Sequence, residues 1–152
     1  MIPETVRRVL ERHGLEALEF EPGSTPTAVQ AAEKIGVSVG QIAKSILLRG
    51  KDGQYRMVVL PGDARLSSSK LKRHTGVKHS MANAEEIERE TGFRPGGVCP
   101  FGVEGIEILL DQGLRGFKRI YPAAGTDATG VPMTFEELLS ITGGSEADLA
   151  AA

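Results

Sequence analysis

Residues 42–61 read IAKSILLRGKDGQYRMVVLP, and this stretch decides the fold. Its two ends, Ile42–Arg49 and Tyr55–Pro61, are rich in Ile, Leu, Val and Met, which is typical of buried strands. Asp52-Gly53 between them is a hairpin signal, because such dipeptides suit the tight turn that joins neighbouring strands. We therefore predict an antiparallel pair in which Ile42–Arg49 is a central strand.

Helices and shorter strands are predicted on both sides of this hairpin from capping residues, apolar periodicity and glycine stops. The predicted helices are Glu4–His13, Thr27–Ile35 behind a Thr25-Pro26 cap, a short turn near Val39–Gln41, Ser68–Thr75, Ala84–Thr91 and Thr134–Ile141. The predicted strands are Leu15–Glu21, Val77–Ser80, Ile106–Leu110 and Phe117–Tyr121, and Ala147–Ala152 is expected to fray. Hairpins mixed with segregated helices indicate an α+β domain with a mainly antiparallel sheet. The hairpin argues against the alternative, a doubly wound parallel sheet.

Length and composition favour one ordinary globular domain over residues 1–152. A chain of 152 residues can bury a core without disulfides, and its single cysteine excludes a disulfide within the chain. The three histidines lack metal-site spacing, so no metal or other cofactor is expected. A net charge of −2 disfavours a general DNA-binding protein. No membrane segment or signal peptide is evident, and we expect a cytoplasmic location.

Lys44 is the first candidate functional residue, because strand alternation places it in an apolar row with Ile42, Ile46 and Leu48. A buried ammonium without a partner is unfavourable. Lys44 therefore either extends to water at the end of the sheet or lines a pocket that receives an anion. The pattern alone favours the first interpretation.

The second candidate is the loop Gly96-Gly97-Val98-Cys99-Pro100. Glycines allow close approach of a ligand to backbone N–H groups, which can stabilise a developing oxyanion. A tight linker is the simpler interpretation of the same residues. Cys99 is expected to be a small buried thiol rather than a nucleophile.

Basic residues form a third candidate, and their partner would be phosphate. The stretch comprises Lys70, Lys72, Arg73, His74, Lys78 and His79. A second basic group, which is a candidate for the same role, comprises Arg115, Lys118 and Arg119. A solvated surface is the more frequent outcome for such a pattern. Asp63 and Asp127 are isolated carboxylates near turn signals, for which a turn or cap role is the default.

Several motifs, taken in order from Thr25 to Gly144, resemble the YbaK/ProX family of prolyl-tRNA-synthetase editing domains. They are Thr27-Ala28-x-x-Ala31-Ala32, Gln41-Ile42-Ala43-Lys44-Ser45-Ile46-Leu47, Pro61-Gly62-Asp63-x-Arg65 with Lys70-Leu71, Thr91-Gly92-Phe93, Gly96-Gly97-Val98-Cys99-Pro100, Ala123-Ala124-Gly125-Thr126 and Met133-Thr134-x-x-x-Leu138. The resemblance implies a mixed, mainly antiparallel and partly barrel-like sheet flanked by helices. It also implies a metal-independent hydrolase that releases an amino acid from misacylated tRNA without a covalent enzyme intermediate.

The resemblance assigns roles to individual residues. Lys44 would anchor the terminal nucleotide, and backbone N–H groups of Gly96, Gly97 and Val98 would stabilise the oxyanion. Ser45, Asp63, Pro100 and Gly125 would bind substrate.

The amino acid that is released is expected to be small. Two segments, Ala123–Asp127 and Phe101–Glu104, depart from the motifs of individual relatives. The expected partners are the acceptor end of misacylated tRNA and an aminoacyl-tRNA synthetase, with neither DNA nor membrane. We expect a freestanding trans-editing enzyme. The alternative is a non-catalytic module of the same fold that binds tRNA or a synthetase.

Overall fold

The computed structural model describes residues 1–152. Its helices are α1 (Glu4–Arg12), α2 (Ala28–Ile35), α3 (Ser68–Thr75), α4 (Ala84–Thr91) and α5 (Phe135–Thr142). Its strands are β1 (Leu18–Glu19), β2 (Ala43–Gly50), β3 (Tyr55–Pro61), β4 (His79–Met81), β5 (Glu107–Asp111), β6 (Thr129–Gly130) and β7 (Ser145–Ala147). Two 3₁₀ turns cover Val39–Gln41 and Gln112–Gly116. None of the helices is both long and apolar enough to cross a membrane.

The predicted hairpin lies within a five-stranded sheet of order β4-β2-β3-β5-β7. β2 and β3 pair antiparallel, with Lys44 opposite Leu60 and Leu47 opposite Met57. β4 pairs antiparallel with the other edge of β2, whereas β5 and β7 add parallel to β3. β1 and β6 form a separate antiparallel pair. The prediction of an α+β domain with a mixed sheet is confirmed.

Both faces of the sheet are covered at its centre, which explains the apolar runs 46–48 of β2 and 57–60 of β3. Ala43 and Leu47 belong to the larger core, which also holds Met57 and buried side chains of α1 and α5. Leu48 belongs to the core on the opposite face. Strand alternation thus sends neighbouring residues of β2 into different cores.

Helix caps follow the sequence signals with one correction. The Ser67, Asn83 and Thr134 side chains each accept a hydrogen bond from the backbone N–H three residues later, as N-caps do. The cap of α2 is Thr27 and not Thr25. The Thr25 hydroxyl instead accepts a hydrogen bond from the Thr129 N–H at 3.2 Å, which ties the start of α2 to β6.

The C-terminal residues are ordered, so the predicted fraying tail is wrong. Leu149 is fully buried, and the Ser67 N–H donates to its carbonyl at 2.8 Å. The Asp111 carboxylate accepts hydrogen bonds from the N–H groups of Leu149 and Ala150 at 2.8 and 3.0 Å. The segment is ordered by these contacts with residues distant in the chain, which its local sequence does not indicate.

Two predicted strands also change. Phe117–Tyr121 follows a 3₁₀ turn and forms only isolated bridges, Ile42 with Tyr121 and Ile120 with Met133, rather than a continuous ladder. The strand predicted at Leu15–Glu21 shrinks to the two residues of β1. The Tyr121 bridge still matters, because it fixes that aromatic residue beside the first residues of β2.

Candidate functional site

A cavity of about 150 Å³ opens where the first residues of β2 meet α2 and the glycine loop that follows α4. Four sequence-predicted residues, Lys44, Ser45, Gly96 and Val98, lie in its wall. The remaining wall residues are Thr25, Pro26, Thr27, Ala28, Ala31, Ile42, Ala43, Tyr121, Ala123 and Thr129. Distant parts of the chain therefore converge on one hollow.

Lys44 is half-buried, and its ammonium is held at the end of the hairpin. It donates hydrogen bonds to the carbonyls of Gly62, at 3.3 Å, and Ala64, both just beyond β3. A lysine ammonium has three N–H donors, so one remains for a further acceptor. Burial lowers the pKa of Lys44, and the nearby Asp63 carboxylate opposes that change. Lys44 thus combines a fixed position with an unused donor.

Ser45 follows on the strand and points to the opposite face of β2 from Lys44. Its hydroxyl oxygen is shielded from solvent and has no hydrogen-bond partner in the protein. A buried polar group without a partner is uncommon, and leaving one unsatisfied costs about 1–3 kcal/mol. Ser45 also lines the cavity, so this unpaired hydroxyl lies directly behind the wall of the site.

Gly96 has a φ of +92°, a backbone conformation that favours glycine. The N–H groups of Gly96 and Val98 donate no hydrogen bond to another residue. The Gly97 N–H instead donates to the Arg94 carbonyl at 3.0 Å and so closes a turn. Within the predicted cradle, the available donors are therefore those of Gly96 and Val98.

The remaining predicted residues lie outside the cavity. Gly97 and Gly125 line a neighbouring pocket of about 370 Å³, together with Arg94 and Asp127. Pro100 is buried behind the loop, and Asp63 is exposed beside the hairpin end. Cys99, which precedes Pro100, is fully buried, and burial raises its pKa to about 12, so its thiol stays protonated near neutral pH.

Sequence reasoning missed Tyr121, Thr25 and Thr129 as cavity residues. Thr25 and Thr129 are buried, and the Thr129 hydroxyl accepts a hydrogen bond from the Ala124 N–H at 2.9 Å. Tyr121 enters the wall through its backbone pairing with Gln41 and Ala43. No local spacing links these residues to Lys44, and none of the three lies within the motifs that carry the family resemblance.

The chemistry of the wall is simple. Lys44 and Tyr121 are its only ionisable side chains, and no carboxylate, imidazole or thiol lines it. No group of three or more His, Cys, Asp or Glu side chains has an arrangement suited to a metal ion. What the site offers is a cation, a hydroxyl and backbone N–H donors around a small hollow.

Residues 22–141 match the family described as "Aminoacyl-tRNA editing domain". A protein of Bacillus subtilis (strain 168), "Uncharacterized protein YwhH", is 40% identical over 124 residues, which cover 81% of this chain and 78% of that protein. The proline–tRNA ligase of Thermosipho africanus (strain TCF52B) is 38% identical over 93 residues, 60% of this chain but only 16% of the ligase.

The fold agrees with these relationships. A crystal structure described as "a putative trans-editing enzyme for prolyl tRNA synthetase" superposes with a TM-score of 0.88 and 36% identity, covering 100% of both chains. The family match spans the helix, the hairpin and the glycine loop that enclose the cavity. The chain therefore belongs to the aminoacyl-tRNA editing domain family.

Proposed function

We propose that this chain hydrolyses the ester between a misattached small amino acid and the terminal ribose of tRNA, and that it does so without a metal. One observation carries the proposal: Lys44 and Ser45 of β2 share a cavity with Gly96 and Val98 of the glycine loop. An aminoacyl ester is already activated. Its hydrolysis requires the ester and a water to be positioned and the oxyanion to be stabilised.

The size of the cavity supports a small amino acid. A cavity of about 150 Å³ is comparable to one that accommodates benzene, with about six heavy atoms. An alanyl or seryl group has about as many, and Ala28, Ala31 and Ile42 give the wall the apolar surface expected of a pocket that selects by size. Discrimination by size in an apolar pocket amounts to about 1–3 kcal/mol per methylene group.

The glycine loop supplies the proposed oxyanion stabilisation. Water attacks the ester carbonyl carbon, and negative charge develops on the carbonyl oxygen. The Gly96 and Val98 N–H groups would donate to that oxygen, and one such donor lowers the barrier by about 3–4 kcal/mol. The bond to the ribose oxygen then breaks, the ribose oxygen takes a proton, and free amino acid and tRNA leave.

The attacking water needs a base, and the wall contains no carboxylate or imidazole. We propose that a hydroxyl of the terminal ribose positions and activates the water. Replacing the 2′ or 3′ hydroxyl singly with hydrogen should slow turnover for at least one position. Unchanged rates for both substrates would contradict substrate assistance but leave the oxyanion proposal intact.

Lys44 would bind the terminal nucleotide rather than take part in bond breaking. Its two carbonyl contacts fix the ammonium, and the third N–H is available for a phosphate or ribose oxygen. Tyr121 offers an aromatic ring in the same wall on which a base could stack. Together these residues would hold the ester against the glycine loop.

A panel of mischarged tRNAs tests the proposed activity. The chain should release at least one small amino acid, with Lys44→Ala slowed at least 100-fold and Arg12→Ala, at an exposed residue of α1 outside the cavity wall, unchanged. Addition of a chelator should leave the rate unchanged, and a rate that fell with chelator and returned with Zn²⁺ would contradict metal independence.

The same panel addresses the alternative, a non-catalytic module that binds tRNA or a synthetase. Such a module would bind the mischarged tRNAs without releasing any amino acid. The cavity favours the enzyme, because it brings Lys44 together with the unpaired N–H donors of Gly96 and Val98, the combination that ester hydrolysis requires. We further propose a cytoplasmic enzyme that meets charged tRNA either alone or on a synthetase.

A further inference from the structure

A second feature lies at the far end of β2 from the cavity. There the ends of β2 and β4 form a groove of about 320 Å³ whose lining includes no apolar side chain. It is lined by Arg49, Gly50, Lys51, Lys78, His79 and Ser80. The antiparallel pairing of Gly50 with His79 holds its two sides together.

Lys51 and Lys78 supply the charge of this basic groove. The Lys51 N–H donates to the Lys78 carbonyl at 2.8 Å, so the two residues are direct neighbours. Both side chains are exposed, and neither makes an ion pair or a side-chain hydrogen bond. An anion bound in the groove would be attracted by both ammonium groups.

The other polar residues of the basic groove are already engaged. Arg49 contacts the Glu86 carboxylate at 2.6 Å. His79 lies between the Val77 carbonyl and Arg56, with its Nε2 2.9 Å from the guanidinium, which suits a neutral ring that accepts from Arg56. Lys70, part of the basic stretch noted in the sequence, pairs with Asp148 on the C-terminal segment and does not line the groove.

We propose that the basic groove binds backbone phosphates of the tRNA acceptor arm, an inference that rests on the proposed function. Gly50 is six residues beyond Lys44 on one strand, about 20 Å at ~3.3 Å per residue. At about 3.4 Å per stacked nucleotide, this distance corresponds to roughly six nucleotides from a 3′ end held at Lys44. The groove would then receive phosphates beyond the terminal unpaired nucleotides.

The lining favours RNA over a protein partner. Protein interfaces have an apolar centre, and this groove has none. Lysine contacts to phosphates position a nucleic acid without reading its sequence. The groove would therefore set the register of the acceptor arm and leave recognition of the amino acid to the cavity. In a chain with a net charge of −2, RNA is expected to be held by local basic sites such as this groove.

Binding of uncharged tRNA, followed by fluorescence anisotropy over a series of KCl concentrations, tests this inference. The double variant Lys51→Ala/Lys78→Ala should bind at least tenfold more weakly in low salt. Its plot of log K against log salt should be shallower by about 1.5, since two phosphate contacts are lost. The control Arg7→Ala/Arg12→Ala removes the same charge from exposed positions on α1 and should behave like the unmodified chain.

An unchanged slope in the lysine double variant, an equal loss in the arginine control, or no tRNA binding by the unmodified chain would overturn the inference. Hydrolysis of an aminoacyl-adenosine, which lacks the acceptor arm, separates it from the proposed function. The lysine double variant should hydrolyse this substrate at the unmodified rate. If neither the unmodified chain nor the lysine double variant hydrolyses it, the catalytic proposal fails. The salt dependence of tRNA binding still tests the groove in that case.

Discussion

Gly97→Ala is expected to impair catalysis because there is no room for a methyl group where the glycine loop meets the 125–127 segment. A Cβ at residue 97 would lie 2.9 Å from Thr126 Cα and 3.0 Å from the Gly125 carbonyl group. Carbon contacts are optimal at about 3.5–4.0 Å. Both obstacles are backbone, so neither can rotate away, and the two segments must separate by about 0.5 Å.

The magnitude follows from that displacement. A misplacement of about 1 Å can lower a rate about 100-fold, so about 0.5 Å corresponds to roughly tenfold in kcat. The Gly96 and Val98 N–H groups flank residue 97 and would move with it. Overpacking of this kind also costs about 1–3 kcal/mol of stability. For a chain of this size that lowers Tm by roughly 2–12 °C.

Single-turnover deacylation and thermal unfolding measure the two effects separately. Gly116→Ala is the matched control, because a Cβ there meets no atom within 4 Å and its φ is negative or extended. The control should keep its rate and its Tm within 2 °C, an allowance of about 0.5–1 kcal/mol. A folded Gly97→Ala protein with kcat within about twofold of the unmodified rate, a barrier change of only ~0.4 kcal/mol, would refute the role assigned to the loop.

Three further predictions concern stability and pH. Leu149→Ala should cost about 2–5 kcal/mol, because the side chain is fully buried, and a fall in Tm of less than 2 °C would contradict the ordered C-terminus. Hydrogen bonds from Tyr55 and the Asn83 N–H, with Arg49, lower the pKa of Glu86 to about 2. The carboxylate therefore makes its whole contribution to the free energy of unfolding above the ordinary glutamate pKa of 4.5 and loses it as the pH falls through about 2. Denaturant unfolding should show this loss as a shrinking difference between the unmodified chain and Glu86→Gln, and a difference that stays constant with pH would contradict it. Burial lowers the pKa of Lys44, so its ammonium loses its proton at a pH below the ordinary lysine value of 10.5. As the pH rises through that range, the affinity for a non-hydrolysable aminoacyl-adenosine amide should fall. The Lys44→Arg variant, which stays charged, should bind without that loss.

The hairpin and the helix caps could be predicted because their causes are local. Asp52-Gly53 dictates a turn between two apolar runs, and Asn83 and Thr134 satisfy the first N–H groups of their own helices. The parallel addition of β5 and β7 could not be predicted, since it depends on crossovers between distant segments. Leu149 was misjudged for the same reason, because the Asp111 carboxylate that binds its N–H lies far away in the chain.

The candidate site shows the same division. Alternation along β2 identified Lys44 as an unusual cation in an apolar row, and the glycines marked the loop, but neither pattern indicated that they share a cavity. That expectation came from the resemblance to the family. Tyr121 carried no sequence signal, because its place in the wall follows from a bridge to Ile42 outside any regular strand. The hydrogen bond from the Gly97 N–H to the Arg94 carbonyl likewise could not be predicted from the sequence.

A crystal structure with a non-hydrolysable aminoacyl-adenosine amide tests the central claim most directly. The amide carbonyl oxygen should lie about 2.7–3.1 Å from the N–H nitrogens of Gly96 and Val98, the range expected of oxyanion donors. The Lys44 ammonium should contact the nucleoside portion. An analogue seated instead in the pocket beside Arg94 and Gly125, or a carbonyl directed away from the glycine loop, would contradict the proposed site.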